Sequence, residues 1–394
     1  MTTAKRWLLP DGVEEILPAE ARKLESLRRD ILDLYRAWGY ELVITPLIEF
    51  LDSLLVGTSK DLDIHTFKIV DQLSGRMMGI RADITPQAAR IDAHCLNREG
   101  PVRLCYSDNV LHTKPRGLIT SRVPIRIGAE LYGHAGVECD IELICLMQET
   151  LATTGIDNAQ IVLGHVGIFR SLLAEANLDA EIEQQLFGAV QRKAFDEIDA
   201  VLADSVSDAG LRNQLQQLTR LSGGENVLEQ AKEVFAGASQ TVLAELDELM
   251  AIAAGVRRRL PDIRIGFDLC ELRGYEYHTG IVFAAYTADY GRAVAKGGRY
   301  NDIGEVFGRA RPASGFDSDL KTLARLSKRK FLAAPAILAP AEDDADLLAK
   351  ITELRSSGEI VIQQLGDDSE SAAEMNCNRK LEKQGSTWTI VELD

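Results

Sequence analysis

The residues best suited to chemistry lie between Glu271 and Tyr300, where Arg273, Glu276, Tyr277, His278 and Tyr300 fall among Gly274, Gly280, Gly297 and Gly298. An arginine holds a carboxylate in a two-pronged fork, and a glutamate holds an ammonium. Together with aromatic rings, this mixture suits a small zwitterion. Glycines at these positions let the backbone turn tightly around such a ligand. The six histidines show no HxxxH or similar spacing, so no metal site is expected. There is no G-x-G-x-x-G after a strand and no G-x-x-x-x-G-K-[ST], so no nucleotide cofactor is expected either.

The elements that must position these groups follow from periodicity. Leu24, Leu27, Ile31, Leu34 and Trp38 share one face of a helix that stops at Gly39. ELVITPLIEF (41–50) reads as a strand broken by Pro46. Residues 65–82 read as a hairpin turning at Ser74-Gly75, and Thr85-Pro86 opens a helix with the threonine as its cap. Strands are expected over 102–111 and 124–133. In the second, Arg126, Gly128, Glu130 and Tyr132 face one way, a plausible pocket floor. Asp140–Gly155 reads as a helix with the aspartate as cap, and 160–169 as a strand. From about Leu172 to Gly255 the pattern is helical, broken at Gly223-Gly224. Strands return at 262–272, 280–286 and 293–298, and a helix is expected from Asp317 to about Arg329. Beyond a proline-containing and then acidic stretch near Phe331 lies a small module of strand, helix, strand and strand. Hairpins and long helical stretches in one chain point to an α+β fold, an antiparallel or mixed sheet with helices packed against it.

Composition narrows the function classes. At 394 residues the chain is long enough for two or three domains with a sizeable core. No apolar run approaches 18 residues, so no membrane association is expected. The first residues lack the apolar core of a signal peptide, and six scattered cysteines with no CxxC pair fit a reducing cytoplasm. A net charge of −16 argues against an extended nucleic-acid surface, since phosphate binding draws on basic patches.

RGYEYHTG (273–280) with GGRY (297–300) resembles the histidine-recognition segment of histidyl-tRNA synthetases. The resemblance runs from about Leu9 to Leu323. Gly39-Tyr40, Thr45-Pro46 and Phe50 are similar to the dimerisation motif of the class II synthetases, Arg81-Ala82-Asp83-Ile84-Thr85 to R-P-E-G-T, and Ile127-Gly128-Ala129-Glu130 to LGCE. It implies a class II synthetase-like core over 1–171 and 261–330, a helical insertion over 172–260 and a small C-terminal α/β module over 331–394. It further implies a histidine pocket of Asp83, Thr85, Arg126, Glu130, Arg273, Tyr277, His278 and Tyr300. There Asp83 and Glu130 take the ammonium, Arg273 the carboxylate or a nearby anion, and His278 and Tyr300 the imidazole. Arg126 is expected to pair with Glu130 or with the ligand carboxylate. Each position also has a plain structural use: Thr85 as a cap, Glu130 as an exposed strand residue, Tyr300 as core.

The departures from the pattern matter as much. Where the synthetases carry FRHERP, this chain has Val110-Leu111-His112-Thr113-Lys114-Pro115, so the phosphate-binding arginine is Leu111 and the acid Thr113. Where they end a motif in G-F-x-x-G-L-E-R, the arginine is Thr322, and Asp317 and Asp319 add negative charge. Lys114, Arg116 and Lys321 are the basic residues left nearby, and a lysine is not a two-pronged fork. The pattern therefore resembles the regulatory subunits of ATP phosphoribosyltransferase, non-catalytic relatives of the synthetases. That resemblance implies a short-form catalytic subunit as partner in the first step of histidine biosynthesis. It also implies a homodimer through the core, a hetero-octamer with the partner, L-histidine as feedback effector, and no tRNA. The effector has two candidate places, this pocket or the interface with the partner. The alternative is an active histidyl-tRNA synthetase with altered ATP contacts.

Overall fold

The computed structural model describes residues 7–56, 60–115, 121–272, 274–366 and 372–393. The chain divides into two compact units, Met1–Arg329 and Lys330–Asp394.

The first unit opens with α1 (Pro18–Ala37), which starts at a proline and buries Leu24, Leu27, Ile31 and Tyr35 along one stripe. The chain then breaks at Pro46 between two short strands, β1 (Glu41–Leu42) and β2 (Ile48–Phe50). Short helices α2 (Leu51–Leu54) and α3 (Lys60–His65) lead into the hairpin of β3 (Phe67–Val70) and β4 (Met77–Ile80). With β2 this hairpin makes a separate three-stranded sheet. α4 (Thr85–Arg90) continues into a π-helical stretch, Ile91–Leu96. Next come β5 (Val102–Asn109), β6 (Ile125–Tyr132), α5 (Val137–Thr153) and β7 (Gln160–His165). β7 stops at His165, earlier than the apolar run suggests, because Val166 already belongs to a helix.

The helical stretch comprises α6 (Val166–Ala176), α7 (Ala180–Gln191), α8 (Phe195–Ser205), α9 (Ala209–Leu218), α10 (Asn226–Val234) and α11 (Gln240–Arg259), with a two-residue β8 (Ser222–Gly223) between α9 and α10. β9 (Arg264–Asp268), β10 (Ile281–Thr287), β11 (Tyr290–Arg299), β12 (Ala313–Asp319) and α12 (Leu320–Leu326) complete the unit. The nine-stranded sheet runs β1-β5-β6-β12-β11-β10-β7-β9-β8. Its centre, from β5 to β7, is antiparallel, while β1 and β9 pair in parallel with β5 and β7.

The last three residues of β12, Asp317–Asp319, were expected to start a helix. Apart from Phe316 the residues of β12, ASGFDSD, are small or polar, with none of the β-branched side chains that mark a strand. The sheet supplies what propensity does not: β12 is hydrogen-bonded on both edges, Gly315 facing Glu130 on β6 and Gly298 on β11. The helix begins only at Leu320, capped by Asp319.

Asp140 is likewise not a cap. It lies one turn inside α5, fully buried, bonded to Arg299 and to the Ser314 hydroxyl (2.7 Å). The Arg299 guanidinium also donates to the carbonyls of Ala135 and Gly136, each at 3.0 Å. Arg299 of the GGRY motif thus ties α5 to the back of the sheet. Tyr35 packs edge-on against Phe316 there, with ring centroids 6.1 Å apart.

The second unit has a four-stranded sheet ordered β14 (Val361–Gln363), β13 (Ala336–Ala339), β15 (Cys377–Gln384) and β16 (Thr387–Glu392), covered by α13 (Ala345–Ser356). Its core is Ile337, Ala339, Leu347, Ile351, Leu354, Val361, Leu381 and Trp388. β15 was not expected. NRKLEKQ is nearly all polar because only Cys377 and Leu381 turn inward.

Candidate functional site

A cavity of about 540 Å³ opens on the face of the large sheet opposite α5. Its floor is Glu130 on β6, 1% exposed. Three hydroxyls converge on that carboxylate. Thr85 Oγ1 donates to Oε1 at 2.9 Å, Tyr106 Oη donates to Oε1 at 3.0 Å, and Tyr300 Oη donates to Oε2. Burial dominates and pushes the Glu130 carboxyl up to about 8, although the three hydroxyls pull the other way and nearby Asp83 adds to the rise. A neutral acid is therefore favoured at neutral pH. A cation placed beside it would restore the carboxylate.

The local geometry explains the residue types. A Cβ on Gly315, the register partner of Glu130, would sit 1.5 Å from Glu130 Oε2 and 2.9 Å from Tyr300 Oη, so only glycine leaves room. Asp83 Oδ1 accepts the backbone N–H of Ile84 at 2.6 Å and of Thr85 at 3.3 Å. Asp83 thus does the work expected of Thr85 at the start of α4. The threonine carries no capping bond, and its hydroxyl turns to Glu130 instead.

The upper wall comes from the loop between β9 and β10. Gly274 has φ +70, and a Cβ there would strike His278 and Tyr277 at 2.6 and 2.7 Å. This close turn stacks the Tyr277 and His278 rings with centroids 4.3 Å apart, and His278 lies 6.4 Å from Tyr300. His278 Nδ1 donates to the Arg299 carbonyl at 3.2 Å, which leaves Nε2 as the acceptor of a neutral ring. Burial is the main reason that His278 is held down to about 4, so the ring stays uncharged at neutral pH.

Asp83, Thr85, Glu130, Tyr277, His278 and Tyr300 thus line one cavity. Arg273 lies outside the described residues, as does Arg116. Arg126 does not line this cavity. Its guanidinium pairs with Asp317 of β12 at 3.1 Å and faces a neighbouring cavity of about 500 Å³. The expected pairing with Glu130 fails because Gly128 and the Tyr106 hydroxyl fill the space between them on that face. Glu130 is not an exposed strand residue but the most deeply enclosed group of the site.

Tyr106 and Lys296 were not among the expected site residues, and Asp317 was expected only beside the phosphate motif, not in this cavity. Tyr106 was findable, since pairing the two expected strands puts it directly across from Gly128. Asp317 was hidden with the strand that carries it.

Residues 12–323 match the histidyl-tRNA synthetase family, and residues 334–391 match the ATP phosphoribosyltransferase subunit HisZ C-terminal domain. Over its whole length the chain is 54% identical to an ATP phosphoribosyltransferase regulatory subunit of Thioalkalivibrio sulfidiphilus, which it covers in full. The chain belongs to the ATP phosphoribosyltransferase regulatory subunit family. Regulatory subunits of Pseudomonas entomophila and Chromohalobacter salexigens are each 52% identical, again over 100% of both chains. Among solved structures, an ATP phosphoribosyltransferase regulatory subunit/histidyl-tRNA synthetase from Bacillus halodurans superposes with a TM-score of 0.83 at 24% identity, covering 96% of this chain and 99% of that one. A histidyl-tRNA synthetase from Nostoc sp. PCC 7120 gives 0.77 at 20% identity, covering 95% and 91%. The synthetase-like α+β fold expected from the sequence is the observed one.

In this member of the regulatory subunit family, the second cavity shares Lys296 and Asp317 with the first. Asp317 and Asp319 line it, as do Arg126, Arg292 and Thr322. The Thr322 hydroxyl donates to Asp319 Oδ2 at 2.8 Å. Thr113 Oγ1 donates to the Ile64 carbonyl at 2.8 Å, and Lys321 Nζ is held by Glu14 (3.0 Å) and Ser121 (3.3 Å). Among the described residues no helix is long and apolar enough to cross a membrane.

Proposed function

We propose that this chain is a non-catalytic subunit that serves an ATP phosphoribosyltransferase at the first step of histidine biosynthesis, with L-histidine as its effector in the Glu130 pocket. The observation that carries the reading is the contrast between the two cavities. The first presents a carboxyl ringed by three hydroxyls, ready to accept an ammonium, beneath a neutral imidazole and two tyrosines. In the second, Arg126 is engaged by Asp317, and Asp319 stands in the same cavity as Arg292 and Lys296. Transfer from a triphosphate depends on uncompensated cations, and the two carboxylates offset part of that charge. Leu111, Thr113 and Thr322 occupy the positions of the synthetase phosphate-binding groups, and none carries a positive charge.

The subunit acts in the cytoplasm, where its buried thiols stay reduced. It dimerises through the segment around β1 and β2, where Leu42, Ile44, Leu47 and Ile48 are each at least 45% exposed. Such dimers assemble with short-form catalytic subunits into a hetero-octamer. Feedback is linkage: histidine shifts the partner's equilibrium by its difference in affinity for the two states.

The deciding experiment is co-expression with a short-form ATP phosphoribosyltransferase. The expected result is a stable complex whose activity depends on this chain and falls with histidine. No complex and no gain in activity would defeat the proposal. Robust histidine-dependent ATP–pyrophosphate exchange by the chain alone would favour the synthetase alternative.

A further inference from the structure

The pocket loop is held in place from outside the sheet. Arg170 on α6 donates to the carbonyl of Tyr275 at 2.5 Å and to that of His278 at 3.0 Å. Its guanidinium also lies over the Tyr275 ring, 4.8 Å from the centroid. That ring is gripped on two further sides, by Phe169 of α6 at 5.9 Å and by Phe187 of α7 at 5.0 Å. Phe187 and Gln191 of α7 themselves line the cavity. One side chain therefore spans both ends of the segment that presents Tyr277 and His278, and the same cluster forms the cavity wall.

The segment needs such a brace. The bonds within it are short-range turns, Tyr275 N–H to Leu272 and Tyr277 and His278 N–H to Gly274, while Thr279 N–H and His278 Nδ1 tie its far end to the Arg299 carbonyl. Turns of this kind open readily unless packing fixes them. Two charge-assisted bonds to carbonyls three residues apart hold the spacing that stacks the two rings.

We infer that Arg170 is a positioning residue that braces the 274–280 segment against α6 and α7, so that Tyr277 and His278 meet the ligand preformed. The inference rests on the pocket reading above for the identity of the ligand, but the bracing does not. It also gives the helical stretch a part in the pocket, because ordering the segment orders Tyr275 and, through it, Phe187.

The test uses the full-length chain with Arg170→Met and Arg170→Lys, followed by hydrogen exchange of the amides of Tyr275, Tyr277 and His278 and by calorimetric titration with L-histidine. Arg170→Met is expected to speed exchange of those amides at least tenfold in the free protein. It should leave amides of α1 and α5 unchanged and weaken histidine binding roughly 10- to 100-fold, the scale of two charge-assisted bonds. Arg170→Lys keeps the charge over the ring and one carbonyl bond, and should fall between. Unchanged exchange of the three amides in both variants overturns the inference. So does faster exchange spread evenly over the unit, which marks a merely structural residue. Absence of histidine binding to the unaltered chain counts against the ligand assignment alone, because the exchange readout still decides the brace.

Discussion

Glu130→Gln should separate stability from ligand binding. Burial pushes the Glu130 carboxyl up to about 8, against a usual 4.5. A carboxyl raised on folding costs nothing below pH 4.5, where it is neutral in both states. As pH rises from 4.5 to 8 the unfolded chain ionises while the folded one does not, and stability is lost throughout that window. At about 1.36 kcal/mol per pH unit, the two and a half units up to pH 7 amount to roughly 3 kcal/mol. Glutamine removes this slope. Its carbonyl still accepts from Thr85 and Tyr106, and its amide can donate to the Tyr300 oxygen. The free variant should thus be about 1–3 kcal/mol more stable at pH 7, and flat between pH 5 and 8. Its histidine binding should nevertheless collapse, since an amide cannot answer an ammonium. In the unaltered protein, binding should expel the proton that Glu130 holds at pH 7, and affinity should climb towards tenfold per pH unit below 8. Urea unfolding from pH 5 to 8 reads the first effect. Calorimetry in buffers of different ionisation enthalpy reads the second. A variant that loses stability with the same pH slope as the parent, or binding enthalpies independent of buffer in the parent, would refute the argument.

Three further outcomes follow from named contacts. Tyr106→Phe removes one donor to the Glu130 carboxylate, so its titration should move still higher and the proton-release window with it, at a stability cost of about 1 kcal/mol. Gly315→Ala forces a methyl onto Glu130 and the Tyr300 hydroxyl. It should cost roughly 1–3 kcal/mol in thermal unfolding and abolish histidine binding. Arg299→Met leaves Asp140 buried without its partner. It should cost about 3–5 kcal/mol, the largest loss of the set, readable by chemical denaturation.

What the sequence disclosed depended on where each residue's information lay. The alternation of Arg126, Gly128, Glu130 and Tyr132 was visible because a strand with one enclosed face writes its register in period two. The break at Pro46 and the turn at Ser74-Gly75 were visible because those residues act locally. β12 and β15 were not. A strand of mostly glycine, serine and aspartate, and another rich in lysine, arginine and glutamine, are strands because each is paired on both edges by its neighbours in the sheet. Asp140 misled for a related reason: its short acidic side chain at the start of a helix has a local use, and only Arg299, 159 residues away, claims it for the interior. Within the site, Glu130, Tyr300 and His278 were legible from types and spacing, whereas the partner of Arg126 was not, because it sits on the unrecognised strand.

β12 also fixes when the site can exist. It is the wedge between β6 and β11, so Glu130 and Tyr300 meet only after residues 313–319 have entered the sheet. β6 leaves the ribosome some 180 residues earlier and must wait with one edge unpaired. At bacterial synthesis rates of about 5–20 residues per second, that is a delay of roughly 10–40 s, longer than most domains need to fold. Closing so distant a pair is slow in itself. A nascent or truncated chain that ends between Tyr300 and Ala313 should therefore carry every residue implicated in histidine recognition and yet be blind to histidine, with an open strand edge that invites chaperones.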